Sequence, residues 1–273
     1  MENQPSIDLN ALKTKLRATW MAGDFGQIAI SYAAGAEEFV RSLNLEAGMR
    51  VLDVACGTGN LSLPAARMGA AVTGVDIAPN LLEQARENAK REGLSVQFDE
   101  GDAEKLPYED ASFDAVITMF GAMFAPRPEL TAAELKRVCR AGGFIAMANW
   151  TPSGFVGQMF KIVGSHVPPP PGVPSPLLWG SEETVRQRLA EGTSDLDMSR
   201  RMLRFMYPFS PAQSVDYFRR YYGPAFNAFN ALNEDGRAAL AHDMTELWNT
   251  NNEATDDTTN VPAEYLRVVA VRA

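Results

Sequence analysis

Three short turns in this chain of 273 residues carry side chains whose types and spacing could do chemistry together. The first is Val51-Leu52-Asp53-Val54-Ala55-Cys56-Gly57-Thr58-Gly59-Asn60. Its small residues let the backbone pass close to a ligand and turn sharply into a helix whose first amides are free to bind it. The second is Asp76, which ends the run Val72-Thr73-Gly74-Val75, 17 residues beyond Gly59. A carboxylate there can accept both hydroxyls of an adenosine ribose, and it can equally cap the helix that follows. The third is Gly101-Asp102-Ala103. Asp102 can accept from an adenine amine while Ala103 leaves room for the ring; a plain Asx-turn is the competing reading.

These turns act together only if the fold brings them to one place. Met49–Val54, Ala70–Val75, Leu94–Phe98, Phe113–Thr118 and Gly143–Asn149 read as short apolar strands. They alternate with helical stretches at 60–68, Ala78–Arg91 and 129–139, the second opened by Pro79 and stopped by Gly93. Short strands alternating with helices predict right-handed βαβ units, hence a doubly wound, mostly parallel α/β sheet covered on both faces. Ligands in such sheets bind at the carboxyl ends of the strands, where all three turns fall.

Two N-terminal helices are expected at 7–20 and 25–43, separated by Ala22-Gly23-Asp24 with Asp24 as cap. After Trp150 the rhythm changes. Residues 151–180 carry Pro168 to Pro171, Gly172, Pro174 and Pro176 and read as a non-helical connection. A helix at 181–190, a strand at Arg201–Tyr207, helices at 211–222 and 234–251 and a closing strand at Tyr265–Val271 follow. The chain thus divides into an N-terminal helical cap (1–45), a ligand-binding α/β core (46–150) and a segment (151–273) of proline-rich connection, helical substrate cap and two last strands. All three belong to one continuous fold.

Composition narrows the function. The formal net charge is −9, with 34 acidic against 25 basic residues, which disfavours a nucleic-acid partner. Arg200, Arg201 and Arg204 form a small basic cluster that reads as a solvated strand edge. No apolar run approaches the roughly 20 residues of a membrane span, and Met1-Glu2-Asn3-Gln4-Pro5 has no leader character. Cys56 and Cys139 make neither a CxxC pair nor a zinc set, so no metal is expected and a reduced, cytoplasmic setting fits.

The succession Asp53-Val-Ala-Cys-Gly57-Thr-Gly59, Val75-Asp76, Gly101-Asp102-Ala103-Glu104-Lys-Leu-Pro107 and Ser112-Phe113-Asp114-Ala115-Val116 resembles the motifs of class I S-adenosylmethionine-dependent methyltransferases, in their ubiquinone/menaquinone-biosynthesis flavour. The resemblance covers roughly residues 49–150. It implies a seven-stranded sheet whose last strand is antiparallel and lies between the fifth and sixth. It also implies S-adenosyl-L-methionine as cofactor and S-adenosyl-L-homocysteine as product. Carried over, Ala55, Cys56, Gly57 and Gly59 face the methionine part with Asp53 beneath them. Asp76 holds the ribose, Ile77 packs on the adenine, Asp102 and Ala103 read its edge, and Met119 borders the methionine. Trp20, in the N-terminal segment, joins this set. Two departures stand out. Ala55 replaces a frequent glycine, with modest tightening expected, and Thr118-Met119-Phe120-Gly121 replaces the signature used on exocyclic amines of DNA bases.

Methyl transfer from a sulfonium is an in-line displacement whose leaving group needs no proton, so positioning and a dry site dominate. His166 and His242 are the only side chains that titrate near neutrality unaided, and His166 is the weak candidate for a catalytic or substrate contact. Phe120, Met123, Phe124 and Trp150 follow strand ends, and Trp179, Tyr221 and Tyr222 fall in the cap. Together they imply an apolar, aromatic pocket for a small-molecule acceptor. A nicotinamide-dependent oxidoreductase is disfavoured, because Ser62 stands where its third glycine belongs. A non-catalytic S-adenosylmethionine-binding sensor or scaffold fits the same motifs, and methylation of RNA or protein is disfavoured by charge.

Overall fold

The computed structural model describes residues 8–273. Residues 1–7, on which the reading of the chain's opening and the expected helix start at residue 7 fall, lie outside the described residues. Seven strands, β1 (Arg50–Val54), β2 (Ala71–Asp76), β3 (Gln97–Glu100), β4 (Phe113–Met119), β5 (Cys139–Trp150), β6 (Thr193–Tyr207) and β7 (Thr259–Arg272), form one sheet in the order β3-β2-β1-β4-β5-β7-β6. The first five pair in parallel, and β7 runs antiparallel to both β5 and β6. This is the doubly wound sheet the alternation predicts, with the closing strand between the fifth and sixth. Val51, Leu52 and Val54 of β1 are all fully buried, which is why the central strands read as continuous apolar runs instead of alternating ones.

Helices α1 (Leu9–Met21), α2 (Phe25–Ile30) and α3 (Ala33–Arg41) precede the sheet. Helices α4 (Ser62–Arg67), α5 (Pro79–Glu92) and α6 (Pro128–Val138) alternate with its strands. The remaining helices are α7 (Phe155–His166), α8 (Glu182–Leu189), α9 (Pro211–Tyr221), α10 (Gly223–Ala231) and α11 (Glu234–Asn251).

Four expectations change. The single helix at 25–43 is two, broken at Ser31-Tyr32, where the Ser31 hydroxyl donates to the Ile28 carbonyl at 2.7 Å. The connection 151–180 contains α7, because no proline falls between Pro152 and Pro168 and Phe155–His166 is left free to coil. Pro224 starts a separate α10, since a proline is tolerated in the first turn of a helix and not inside one. Strands β6 and β7 begin at Thr193 and Thr259 and pair along nearly their whole length. The first half of β6 has only Leu196 and Met198, both partly buried, among polar residues, too sparse an apolar signature to mark a strand.

The N-terminal helices dock on the late helices to close one cap: α1 lies on α10 and α2 on α9, while α7 and α9 pack on α11. The crossing of α1 and α10 is tight enough that a Cβ on Gly223 would sit 2.0 Å from the Thr19 carbonyl oxygen. Asn227 Nδ2 donates to Thr19 Oγ1 at 3.1 Å, and the Tyr217 hydroxyl donates to the Gln27 carbonyl at 3.1 Å. At the far edge β6 is the outermost strand, with Arg200 paired to Glu264 and Arg204 to Glu253, so the basic cluster is a solvated edge as expected. Among the described residues no helix is long and apolar enough to cross a membrane.

Candidate functional site

The turns after β1, β2 and β3 and the end of β4 meet in one cleft that encloses about 960 Å³ of empty space, its mouth included. The loop after β1 makes its floor. Gly57 takes φ +53, and its amide donates to Asp76 Oδ2 at 2.8 Å. Asp76 Oδ1 accepts from the Ala78 amide at 2.9 Å. Asp76 therefore caps the following turn and lines the cleft at once, and the two readings coexist. Burial pushes its carboxyl above the usual range, against the opposing pull of the Ala78 and Gly57 amides.

Asp53, at the same strand end, is buried and accepts from Ser62 Oγ at 2.6 Å. Burial pushes its carboxyl up to about 7; the Ser62 bond pulls the other way and the Asp76 charge adds to the rise. Cys56 is buried with its thiol pushed far up by desolvation, so it is no nucleophile. Ala55 sits at φ +57, a left-handed conformation that glycine adopts without strain. The expected tightening is thus a matter of backbone strain, about 1 kcal/mol, and not of methyl bulk alone.

Asp102 Oδ1 accepts from the Glu104 amide at 2.9 Å, which is the Asx-turn geometry, while Oδ2 is paired with Lys13 from α1. Lys13 also pairs with Glu104, whose buried carboxylate is held from the other side by Arg127 Nε at 2.8 Å. Arg17 pairs with Glu100 at 2.7 Å. Helix α1 is thereby tied by two cations to the acidic rim after β3. Nothing in the local sequence relates Lys13 to Asp102, 89 residues away.

Trp20, Asp53, Ala55, Cys56, Gly57, Asp76, Ile77, Asp102, Ala103, Met119, Phe120 and Phe124 all line this cleft. Gly59 does not. It faces back into the core, where a Cβ would meet Leu63 Cγ at 3.4 Å, so it serves the turn instead of the cleft.

A second, smaller chamber with about 360 Å³ of empty space, its opening included, adjoins the first, with Trp20, Phe25, Tyr32, Phe120 and Phe124 as shared wall. Trp150, Phe205, Phe218 and Tyr222 are among the residues that close it, and no carboxylate, ammonium, guanidinium or imidazole lines it. Phe120 stacks on Trp150 with ring centroids 3.6 Å apart and planes at 7°. Phe120 also takes φ +56, a strained conformation for a bulky residue, held by the bond from its amide to the Ala148 carbonyl at 2.9 Å.

Four expected pocket residues lie elsewhere. Met123, in the middle of the single turn Ala122–Phe124, is buried in the core and lines neither cavity. His166 ends α7 with Nε2 2.7 Å from Asp243 Oδ2 on α11, so it joins two cap helices. Trp179 is fully buried with the Arg188 guanidinium 4.5 Å above its ring. Tyr221 packs edge-on against Tyr217, its carbonyl accepting from the Asp24 amide at 3.1 Å. Conversely, Phe25 and Tyr32 went unrecognised because the stretch 25–43 reads as one plain amphipathic helix. With the helix broken at Ser31-Tyr32, both residues line the cleft and the chamber.

The description "Methyltransferase domain" matches residues 52–147, the stretch that builds the cleft floor. The uncharacterized protein Rv1403c of Mycobacterium tuberculosis is 40% identical over 247 residues, spanning 89% of this chain and 90% of that protein. A demethylmenaquinone methyltransferase of Deinococcus radiodurans is 40% identical over 124 residues, 44% of this chain and 52% of the relative. Among solved structures, the YcgJ protein of Bacillus subtilis superposes with a TM-score of 0.60 at 17% identity, covering 87% of this chain and 97% of that one, a likeness of fold.

Proposed function

Since this chain belongs to the class I S-adenosylmethionine-dependent methyltransferases, we propose that it methylates a small, apolar or aromatic metabolite seated in the inner chamber. When bound, S-adenosylmethionine supplies an electrophilic methyl group on a sulfonium that departs as a thioether without needing a proton. The residues at the cleft fit that cofactor. Gly57 leaves the floor free of a side chain, and the Asp76 carboxylate keeps lone pairs beyond those bound by the Gly57 and Ala78 amides. Asp76 would hold the ribose, Ile77 and Ala103 the adenine face, and Asp102 its amine. Asp53, Ala55 and Met119 would face the methionine part.

The single observation that carries the acceptor reading is the charge contrast across the shared wall. The cleft gathers Asp53, Asp76 and Asp102, whereas the chamber behind Phe120 and Phe124 is aromatic and uncharged. Such a chamber excludes water and orients a flat neutral molecule, and it offers no cation to a phosphate headgroup and no carboxylate to an amine. No side chain is assigned as general base.

The test is incubation of the purified protein with S-adenosylmethionine and a panel of neutral aromatic alcohols, quinols and charged amino-alcohol phosphates. Mass spectrometry follows S-adenosylhomocysteine and the methylated products. Turnover with members of the neutral aromatic set supports the reading; turnover confined to the charged set overturns it.

A further inference from the structure

Tyr32 lies at the break between α2 and α3, and Tyr222 at the junction of α9 and α10; the cap brings them into one chamber from opposite ends of the chain. Both side chains are buried, at 6% and 7% exposure. Their rings flank Phe25, with centroids 6.3 Å and 6.5 Å from it. Tyr32 lines the cleft as well as the chamber, whereas Tyr222 lines only the chamber.

Neither hydroxyl has a hydrogen-bond partner among the described residues. Tyr108 donates to Asp99 Oδ2 at 3.0 Å and Tyr217 to the Gln27 carbonyl at 3.1 Å, while the buried Tyr207 hydroxyl is also without a partner but its residue lines neither cavity. Buried phenols are usually hydrogen-bonded, and two that open into the same cavity without a partner indicate a ligand oxygen that completes them. Burial pushes both hydroxyls above the ordinary phenol range, with Tyr222 opposing ionisation of Tyr32 as well. They stay protonated at neutral pH and act as donors, not as bases.

We propose that Tyr32 and Tyr222 form a paired donor that binds an oxygen substituent of the acceptor, so that the metabolite is an oxygenated aromatic molecule and not a hydrocarbon. This rests on the methyltransferase reading of the cleft. The pair fixes how the ring enters the chamber, and with it which atom faces the shared wall. An acceptor lacking the oxygen leaves both hydroxyls without a partner and is rejected for that reason.

The test uses the whole protein saturated with S-adenosylhomocysteine, with 4-chlorophenol and 4-chlorotoluene as probes of matched shape, titrated by fluorescence of the chamber tryptophans. The wild type prefers 4-chlorophenol at least tenfold. Tyr222→Phe and the double variant Tyr32→Phe/Tyr222→Phe lose that preference while binding 4-chlorotoluene within twofold of the wild type. A preference that survives in the double variant overturns the proposal, as does a wild type that binds the two probes equally or binds no 4-chlorophenol. Calorimetry of S-adenosylhomocysteine runs alongside. Retained cofactor affinity in Tyr222→Phe shows that the variant is folded, and a wild type without such affinity sinks the underlying methyltransferase reading itself.

Discussion

The Gly57 amide donates to Asp76 Oδ2 at 2.8 Å, so the first turn of the sheet and the end of the second strand are joined through one carboxylate at the floor of the cleft. A ligand that binds Asp76 is held by a group already fixed in position, with little side-chain freedom left to lose. Replacing Asp76 by Ala removes a charged acceptor and leaves the Gly57 and Ala78 amides without their partner. S-adenosylhomocysteine affinity, measured by calorimetry, should fall at least roughly tenfold. An unchanged dissociation constant would remove Asp76 from the cofactor site.

Asp53 makes stability depend on pH. Its carboxyl sits at about 7 in the folded protein against an ordinary 3.8, chiefly through burial. Between these values the folded chain keeps a proton that the unfolded chain has released, so this group's contribution to stability declines as pH rises from about 4 to 7 and is level above. Asp53→Asn, which keeps an oxygen for the Ser62 hydroxyl, should therefore gain on the wild type by more than about 1 kcal/mol between pH 4.5 and 8. Urea unfolding at the two pH values reads the difference; equal shifts for both proteins would contradict it.

Lys13 ties α1 to Asp102 and to the buried Glu104. Lys13→Ala breaks a partly buried pair and leaves α1 with the exposed Arg17–Glu100 bridge, which contributes little. Amide exchange in α1 should quicken roughly tenfold while β1 and β4 remain protected, since local opening follows local contacts. Unaltered exchange would show that packing on α10 suffices to hold the helix.

Sequence reasoning reached the cleft further than it reached the chamber, for a physical reason. The cofactor-side residues belong to turns whose chemistry is local: Gly57 with its left-handed backbone, Asp76 as cap and acceptor, Asp102 in its Asx-turn. Each motif names its own geometry. The chamber is made by tertiary docking. Phe25 and Tyr32 look like ordinary helix residues until Ser31 breaks the helix, and Phe205 and Phe218 meet them only because β6 and α9 fold back across the sheet end. His166 lines neither cavity because α7 exists: the helix carries its ring to Asp243.

From this follows a variant expected to do little. His166→Asn keeps a polar contact to α11 and touches no cavity wall, so S-adenosylhomocysteine affinity should stay within about twofold of the wild type. A tenfold loss would mean that the cap reshapes the cleft.

Ala55→Gly relieves the left-handed strain at φ +57. The gain, up to about 1 kcal/mol less the added freedom of glycine in the unfolded chain, should raise the melting temperature by roughly 2 °C. A lower melting temperature would show that contact of the Ala55 methyl with the Gly121 backbone outweighs the strain.

The most direct measurement is a crystal structure of the protein with S-adenosylhomocysteine. The ribose should lie against Asp76 and the adenine between Ile77 and Ala103, with the sulfur turned toward the wall of Phe120 and Tyr32. A ligand bound away from Asp76, or a sulfur directed to solvent instead of the inner chamber, would contradict the account.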